Sequence, residues 1–469
     1  MARPLTILSV NTADLGGGAE RVARELHESY AAAGEDAWLA VGSKRGRDPR
    51  TLEIPNRARR TAWARAWLRA ADALPQRGAG FWTARTLRAV VADPARWVTR
   101  MRGREDFAFP GTRALLDLPG HAADVLHLHN LHGDYFDLRE LSSLTSRVPT
   151  VLSLHDAWLF SGHCAHSFGC ERWEGGCGEC PMLWIYPAVS RDATAFNWRR
   201  KRDILARSAL HVAVPCEWLA GCLRRSILSP AVRELRVIPF GVNLETFQPG
   251  DKAASRALLG LDPSRPVFLT YANSLRARSW KDSTMFREAL ARLSAPAAGA
   301  QWLALGESGP DEQVGAVRVR FVGLETDDAR LSRWYSAADA YVHPARADTF
   351  PLAVLEALAC ATPVIATAVG GIPEQIVSGD LASGTLAHGS FARATGALVS
   401  PGDARAFASA IDAIAELGSA ARGMLSANAV RDARSRFDAR RHQRAYLDLI
   451  REVARARPRG SSESPGRTA

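Results

Sequence analysis

Asp348 and Glu356 are two acidic residues, with seven residues between them, at the start of an apolar stretch. Residues 351–361 are apolar on every side of a helix, and this predicts a buried helix. A buried carboxylate without partners is costly, so Glu356 must meet donors such as hydroxyls or backbone N–H groups. Asp348 precedes the helix, where free N–H groups and the helix dipole favour an anion. A ligand that is rich in hydroxyls and also carries phosphate would satisfy both carboxylates.

A simpler interpretation of the same two acids needs no ligand. Glu356 would pair with an arginine in the core, and Asp348 would be an ordinary capping residue. The neighbouring elements are the same in both cases, because apolar runs at 340–343 and 364–367 predict two buried strands that flank the helix. Thr349 is expected to cap this helix through its hydroxyl.

A glycine loop near the start of the chain is a second candidate for ligand binding. An apolar strand at 5–10 leads into Gly16-Gly17-Gly18, and a helix is predicted at about 20–33. Glycines let a ligand approach the backbone at the start of a helix, so the arrangement suits a nucleotide or a phosphate. The G-x-G-x-x-G fingerprint is absent, so a dinucleotide site is not indicated. A tight structural turn is the alternative.

Three histidines follow two predicted strands of the same half of the chain. His129 and His132 come after the strand at 125–128, and His155 comes after the strand at 150–154. Open parallel sheets bind their ligands at the carboxyl ends of their strands. His129 and His132 are therefore expected either to line a ligand site at this edge of the sheet or to hydrogen-bond within their loop.

Residues 161–181 form a loop that is rich in cysteine. It contains Cys164, Cys170, Cys177 and Cys180, and the last two form a Cys-x-x-Cys pair. Four thiols at this density predict a structural zinc site that would hold a polar loop together, with no open coordination position for catalysis. Buried free thiols or a redox disulfide are the alternatives, because only one Cys-x-x-Cys pair is present.

The positive charge of the chain is concentrated in one segment. The 469 residues carry a net charge of +11, and residues 44–104 hold sixteen lysines or arginines against four acids, which leaves about −1 for the rest. Trp63, Trp67, Ala70 and Leu74 recur at helical spacing, and a second helix is predicted at 82–101. Basic helices with tryptophans suit an anionic membrane surface. A solvated basic face with packed tryptophans is the alternative.

Several other classes of protein are not indicated by the sequence. No module for nucleic-acid binding accompanies the charge, so we expect no nucleic-acid partner. The apolar start is too short for a secretory signal, and the most apolar long segment contains Glu356 and three prolines, unlike a membrane span. Seven cysteines without a secretory signal indicate a reducing cytoplasm. The alternation of strands and helices predicts parallel doubly wound sheets.

The stretch from 335 to 375 resembles the donor-binding signature of retaining glycosyltransferases of the GT-B fold, glycosyltransferase family four. The shared pattern is an acid, seven residues and Glu356, then a Pro-Val strand and the turn Gly-Gly-Ile-Pro-Glu. The cysteine loop is similar to that of a subgroup that includes exopolysaccharide enzymes. The resemblance implies an α/β fold with two Rossmann-like domains that face a cleft.

The resemblance also implies roles for individual residues. Glu356 would hold the ribose hydroxyls of a sugar nucleotide, Asp348 would approach the transferred sugar, and His155 would lie against that sugar. Arg276 and Lys281 resemble the pair that grips the donor diphosphate, whose negative charge develops as it leaves. Further donor-binding positions are expected at Gly17, Gly18, Asn273, Phe350, Leu352 and Gly371.

Four segments are expected from this pattern. The first domain would be the acceptor domain and cover 1–239, with a basic helical insertion at about 46–110 and the Cys-rich loop at 161–181. His129 and His132 are candidates for its acceptor side. The donor domain would cover 240–430. A helix at 431–456 would cross back to the first domain, and residues 457–469 have the composition of a disordered tail.

The predicted activity is sugar transfer from a UDP- or GDP-type donor to a hydroxyl, with retention and without a catalytic metal. A lipid-linked or other glycan is the expected acceptor, in assembly of bacterial surface or extracellular polysaccharide, at the inner face of the plasma membrane. A small-molecule natural product as acceptor, or a GT-B sugar-nucleotide epimerase, is the alternative. A protein that binds a nucleotide sugar or a membrane glycan without catalysing a reaction is a further alternative.

Overall fold

A computed structural model describes residues 3–75, 77–271, 280–379 and 391–456. Its first sheet has seven parallel strands in the spatial order β3-β2-β1-β4-β5-β6-β7. These strands are β1 (Thr6–Ala13), β2 (Asp36–Ser43), β3 (Thr51–Glu53), β4 (Val125–Leu128), β5 (Thr150–Ser153), β6 (Leu210–Val214) and β7 (Val232–Val237).

The second sheet also has seven strands, in the order β10-β11-β9-β8-β12-β13-β14. Its neighbouring strands are parallel except for the hairpin of β10 and β11. These strands are β8 (Val267–Tyr271), β9 (Gln301–Leu305), β10 (Glu312–Val314), β11 (Val317–Gly323), β12 (Ala340–His343), β13 (Val364–Thr367) and β14 (Gly396–Val399). The prediction of two doubly wound parallel sheets is confirmed.

Helices connect the strands and cover the sheets, which keeps the central strands buried on both faces. In the first half they are α1 (Gly18–Ala32), α2 (Ala62–Asp72), α3 (Gly78–Thr86), α4 (Pro94–Met101), α5 (Leu141–Arg147), α6 (Arg172–Gly175), α7 (Thr194–Leu205) and α8 (Glu217–Arg224). In the second half they are α9 (Lys252–Leu258), α10 (Ser283–Leu290), α11 (Asp328–Ala337), α12 (Leu352–Ala359), α13 (Ile372–Gln375), α14 (Ala404–Glu416), α15 (Ser419–Arg436) and α16 (Ala439–Arg455).

Short helical turns complete the described chain. A π-helical turn covers Leu87–Val91, and 3-10 turns cover Pro110–Asp117, Leu138–Glu140, Trp158–Phe160, Ser229–Ala231 and Phe391–Arg393.

The basic segment differs from its prediction in one respect. The single helix expected at 82–101 is wrong, because α3, the π turn and α4 divide this stretch. Asp93 accepts a hydrogen bond from the backbone N–H of Arg96, and Pro94 begins α4. A proline has no N–H for a continuing helix, and an aspartate before it caps a new one.

Tryptophans of this segment are exposed to solvent. Trp63 of α2 is 58% exposed and Trp82 of α3 is 62% exposed, while the buried residues of α2 are Ala64 and Ala71. Trp67 is half-buried, with its ring centroid 5.5 Å from that of Trp63, so exposed and packed tryptophans are both present in this segment. No helix in the described ranges is both long enough and apolar enough to span a membrane.

The chain crosses between the two domains twice, and the two crossing segments lie next to each other. Near Val242 the chain enters the second domain, and near Phe437 it returns to the first. The N–H of Val242 donates to the carbonyl of Phe437 (2.8 Å), and the N–H of Ala439 donates to the carbonyl of Val242 (3.1 Å). Helix α16 then packs on β4 and β5, where Ser153 donates to the Tyr446 hydroxyl at 2.9 Å.

Candidate active site

Loops at the carboxyl ends of the strands meet across a cleft between the two domains. A Cβ atom added to Gly18, at the start of α1, would lie 3.7 Å from Cδ1 of Leu352, the first residue of α12. The Cys216 thiol lies 3.7 Å from the carbonyl of Thr349. Glu374 accepts hydrogen bonds, both of 2.8 Å, from the first N–H groups of α8. The cleft is therefore lined by both sheets, as open parallel sheets place their ligand sites.

Glu356 lies in the middle of α12 and is only 5% exposed. Its Oε2 accepts a hydrogen bond of 3.0 Å from the Tyr335 hydroxyl, and its Oε1 accepts one of 2.9 Å from Arg21. Burial raises the pKa of Glu356, and the Arg21 charge and the Tyr335 hydrogen bond oppose that shift. The pairing with an arginine that the ligand-free interpretation expects is therefore present, and the hydroxyl that shares the carboxylate belongs to a tyrosine of the protein.

Arg21 is a residue of this site that the sequence analysis missed. It lies in the second turn of α1 and also bonds Glu25 (2.8 Å) and Asp328 (3.1 Å). Its guanidinium lies 5.4 Å from the ring centroid of Phe247. The only signal in the sequence is its position just after the glycine loop, because the contact with Glu356 joins residues far apart in the chain.

Asp348 does not bind the helix N-terminus but lies in a cluster with Lys281 and His343. The Lys281 Nζ lies 2.9 Å from His343 Nε2 and 3.5 Å from Asp348 Oδ2. The His343 Nε2 is 3.2 Å from the same carboxylate oxygen, and Tyr341 Oη is 2.9 Å from His343 Nδ1. The residues predicted to approach the sugar and the diphosphate are therefore brought together.

The charges of this cluster affect each other. Burial would raise the pKa of Asp348, but attraction by Lys281 and the hydrogen bond with His343 outweigh it and lower the pKa to about 2. Burial lowers the pKa of Lys281 against the attraction of Asp348. Burial and Lys281 lower the pKa of His343 to about 4. At neutral pH the Asp348 carboxyl is therefore an anion and the His343 imidazole is neutral.

The expected helix cap at Thr349 is wrong. Helix α12 has Pro351 at its N-cap position without a side-chain hydrogen bond, and the carbonyl of Thr349 accepts the N–H of Gly371 at 2.9 Å. A Cβ atom on Gly370 (φ +56°) would lie 1.9 Å from the carbonyl oxygen of Asp348. The Gly-Gly turn therefore holds the backbone of the Asp348 loop by close approach.

Gly371→Ala is expected to destabilise the second domain and to lower its activity. The new Cβ atom would lie 2.5 Å from the carbonyl oxygen of Thr349 and 2.7 Å from the Cys216 sulfur, so backbone must shift. Overpacking of this kind costs about 1–3 kcal/mol. Thermal unfolding followed by circular dichroism should show a melting temperature lower by several degrees. Gly418→Ala is the matched control, since nothing lies within 4 Å of its added Cβ atom.

The remaining predicted donor positions differ in their surroundings. Gly17 is exposed at the N-cap of α1, and Leu352 is half-buried opposite Gly18. The Phe350 ring is buried between Phe240 and Phe437, with ring centroids 5.9 and 6.1 Å away, so its side chain packs at the domain crossing. Asn273 and Arg276 lie outside the described residues.

His155 lies at the end of β5, against the domain crossing. Its ring stacks on Phe240 (5.5 Å between centroids), and its Nε2 is 3.1 Å from Nδ1 of His129. Burial lowers the pKa of His155 to about 4. His129 therefore hydrogen-bonds within the loops, one of its two expected roles. His132 bonds Asp156 instead, with 2.7 Å between Nε2 and Oδ2.

The four cysteines of the 161–181 loop are free thiols in the structure. Burial raises the pKa of Cys164 to about 11 and that of Cys177 to about 12, and Cys180 Sγ lies 3.6 Å from His163 Nε2. Among the described residues, no three His, Cys, Asp or Glu side chains are grouped so that they could hold a metal ion. The zinc site stays a prediction, and the four thiols are half-buried.

Comparisons with known proteins agree with this architecture. The sucrose-phosphate synthase of Thermosynechococcus elongatus aligns with 97% of this chain and 100% of its own chain, with a TM-score of 0.59 and 22% identity. The Anabaena HepE protein, solved in complex with UDP-glucose, aligns with 96% of this chain and 100% of its own, with a TM-score of 0.56 and 16% identity. The fold is the GT-B arrangement of two Rossmann-like domains.

Sequence comparison identifies the domains themselves. Residues 16–246 match the family model described as Glycosyltransferase Family 4, and residues 265–416 match the model described as Glycosyl transferases group 1. The chain therefore carries glycosyltransferase domains in both halves, in agreement with the predicted enzyme class. The putative colanic acid biosynthesis glycosyl transferase WcaC of Escherichia coli is 30% identical over 259 residues, which cover 52% of this chain and 59% of that relative. The chain thus matches less than two thirds of that relative's length.

Proposed function

We propose that the chain transfers a sugar from a nucleoside-diphosphate sugar to an acceptor hydroxyl, with retention at the anomeric carbon. The observation that carries the proposal is the pair of carboxylates, Asp348 and Glu356, on either side of the start of α12, with Lys281 beside the first of them. Each carboxylate has its own cation, since Lys281 lies beside Asp348 and Arg21 pairs with Glu356, so acceptors for two sets of hydroxyls lie next to two positive side chains. The glycosyltransferase domains and the UDP-glucose complex of a structural neighbour support it.

Glu356 is the proposed ligand of the donor ribose. An ionised carboxylate has about four lone-pair positions for hydrogen bonds. Arg21 and Tyr335 each use one of them, so two ribose hydroxyls can bind without displacing either partner. Arg21 then links the ribose site to α1, whose glycine start faces Leu352.

In the proposed reaction the bond between the anomeric carbon and the diphosphate oxygen breaks. The acceptor oxygen forms its bond to the same face of that carbon, and its proton passes to the departing diphosphate oxygen. Negative charge develops on the leaving group, and Lys281 with the loop before α10 would stabilise it. Asp348 would orient the sugar hydroxyls, and closure of the cleft would exclude water.

A lipid-linked glycan at the inner face of the plasma membrane is the proposed acceptor. The exposed tryptophans of α2 and α3 lie in the basic segment, and Trp97 of α4 is also exposed. Exposed indole rings beside arginines suit the interface of an anionic membrane. The colanic acid role named for the WcaC relative supports a polysaccharide product.

A thermal-shift screen with UDP, GDP, ADP and TDP tests donor binding. A nucleotide that binds only the folded protein must raise its melting temperature. One of the four is expected to do so in the wild type, and Glu356→Ala is expected to lose most of that shift.

The matched control is Glu25→Ala, which removes another carboxylate that Arg21 bonds (2.8 Å). It should keep the response to the nucleotide, because Glu25 has no proposed contact with the donor. An equal loss in both variants would show that the effect comes from Arg21 and not from the ribose site. Product analysis completes the test, since an isomerised sugar released without acceptor would indicate an epimerase.

A further inference from the structure

The cysteine-rich loop at 161–181 contacts the second domain through an aromatic side chain. The Phe168 ring centroid lies 5.2 Å from that of Trp280, the residue directly before Lys281, with 40° between the ring planes. The guanidinium of Arg346 lies 5.9 Å from the same Phe168 ring. Both distances are within the usual range for aromatic and cation–π pairs. A side chain of the first domain therefore contacts two side chains of the opposite domain.

His166 gives the same loop a second contact with Trp280. It is only 5% exposed, and its ring lies edge-on to the Trp280 ring with 6.2 Å between centroids. The His166 ring also stacks on Trp218 of α8, at 5.5 Å. His166, Phe168 and Trp280 thus form an interdomain aromatic cluster, in which one ring of the second domain packs against two rings of the first.

The backbone at the tip of the loop is strained. Phe168 has a φ of +49°, in the left-handed region that a bulky side chain rarely adopts. Its N–H donates to Nδ1 of His166 at 3.1 Å, and Gly169 follows with a φ of +82°. Strained residues of this kind persist only where the surrounding structure fixes them, and they concentrate at functional sites. The unusual turn presents the Phe168 ring to the opposite domain.

The base of the loop is fixed to the first domain by a buried lysine. Lys201 is fully buried, and its Nζ donates to the carbonyl oxygens of Trp158 (2.8 Å) and Ser161 (3.2 Å). The Ser161 hydroxyl donates to the carbonyl of Cys164 at 2.6 Å. Buried polar groups that are paired in this way make a segment rigid. The position of the loop tip is therefore determined by the first domain.

Trp280 is connected directly to the residues of the proposed reaction. Its carbonyl accepts the N–H groups of residues 346 and 347, at 2.9 and 3.3 Å. Lys281 forms the next bridge, an antiparallel one with Ala345. These contacts place the Lys281 side chain beside Asp348. Whatever holds Trp280 therefore also holds the backbone from which Lys281 extends.

We propose that Phe168 is a positioning residue for Lys281, and that the cysteine-rich loop couples closure of the domains to the placement of this lysine. In the closed cleft the interdomain aromatic cluster holds Trp280, and the backbone of Trp280 holds Lys281 beside Asp348. When the domains separate, Trp280 loses the two rings of the first domain and Lys281 is held less firmly. The effect on the rate rests on the proposed sugar transfer, whereas the effect on the backbone does not depend on it.

Hydrogen–deuterium exchange of the full chain without ligand tests the effect on the backbone. Phe168→Ala is expected to raise exchange at 280–282 and 344–348 by roughly threefold to tenfold, because an aromatic pair opposes local opening by about this factor. Peptides from β9 and β11 of the same domain should keep their wild-type exchange. Phe168→Tyr keeps the ring and should restore the wild-type pattern.

The matched control for this experiment is Phe196→Ala. Phe196 is also half-buried and also lies beside a guanidinium, 4.2 Å from that of Arg104, but this pair is within the first domain. Its variant should leave exchange at 280–282 and 344–348 unchanged.

The rate of sugar transfer tests the consequence for Lys281. Phe168→Ala is expected to lower kcat roughly tenfold and to leave KM for the donor within about twofold, since the ribose contact at Glu356 stays. Trp280→Ala should lower kcat by a similar factor. The double variant should fall no further, because both substitutions remove the same contact.

The outcomes separate this inference from the proposed function. Unchanged exchange at 280–282 and 344–348 in Phe168→Ala overturns the positioning role, whether or not the protein transfers sugar. Exchange that rises equally throughout the second domain also overturns it, because the effect would then be a general loss of stability. A local rise in a protein that transfers no sugar supports the interdomain contact and overturns the transferase proposal. A local rise with unchanged kcat overturns the role for Lys281.

Discussion

Lys281→Ala is expected to lower kcat by roughly 10²- to 10³-fold. Its ammonium lies 3.5 Å from Asp348, in a buried cluster that faces the proposed donor. Removal of one preorganised donor from a developing oxyanion costs about 3–4 kcal/mol, which corresponds to this change in rate. Release of nucleoside diphosphate from the donor sugar, measured with an acceptor at saturating concentration, gives the rate.

The control for this prediction is Lys252→Ala. Lys252 also pairs with a buried carboxylate of the same domain, since its Nζ lies 3.1 Å from Asp339, but it is remote from the cleft loops. Its variant should keep kcat within about twofold. If Lys281→Ala kept its kcat and changed only KM for the donor, Lys281 would bind the ground state and the transition state equally.

Acidification is expected to destabilise the protein steeply between about pH 6.5 and pH 4. Burial lowers the pKa of His127 to about 3 and the pKa values of His155, His343 and His442 to about 4. The unfolded chain binds these protons near pH 6.5, so stability is fully present above that pH and is lost as the pH falls toward the folded-state values. Each histidine contributes about 1.4 kcal/mol per pH unit within this window.

Two buried carboxylates oppose part of this effect. Burial raises the pKa values of Glu105 and Glu356, so protonation of these groups favours the folded state as the pH falls. The histidines outnumber these two carboxylates, so we expect the free energy of unfolding to decrease overall as the pH falls. Melting temperatures by circular dichroism at pH 7.5, 6.5, 5.5 and 4.5, without ligand, give the slope directly.

A variant of one buried histidine makes the origin of that slope testable. His442 Nδ1 lies 2.9 Å from the carbonyl of Pro239, and a glutamine amide can donate to the same oxygen. His442→Gln should therefore flatten the slope by about one proton. A melting temperature that stays constant from pH 7 to pH 5 would contradict this assignment of the acid sensitivity.

Short buried strands could be predicted from the sequence to the residue. Strands β12 and β13 have the predicted bounds, 340–343 and 364–367, because each is a four-residue run with every side chain buried. Continuous apolar runs are typical of parallel strands that are covered on both faces. The prediction of one helix at 82–101 is wrong for a local reason. Asp93-Pro94 is a signal for the end of one helix and the start of another, and it lies inside the apolar pattern.

The partners of the site residues could not be predicted in the same way. Glu356 was known to need donors, but Arg21 lies 335 positions earlier in the chain. The Lys281 contact with Asp348 likewise joins loops after different strands. The periodicity of apolar residues indicates which face of a helix or strand is buried. It contains no information about which loops lie next to each other in the fold.

The two crossings between the domains have a mechanical consequence. Because the chain segments at Val242 and Phe437 are hydrogen-bonded to each other, the second domain is attached along one line and not at two distant points. Such an attachment leaves rotation about a single axis as the low-energy motion and resists sliding and twisting. Rotation about one fixed axis brings the second domain back to the same closed position each time. Helix α12 would therefore meet α1 in the same register at every closure.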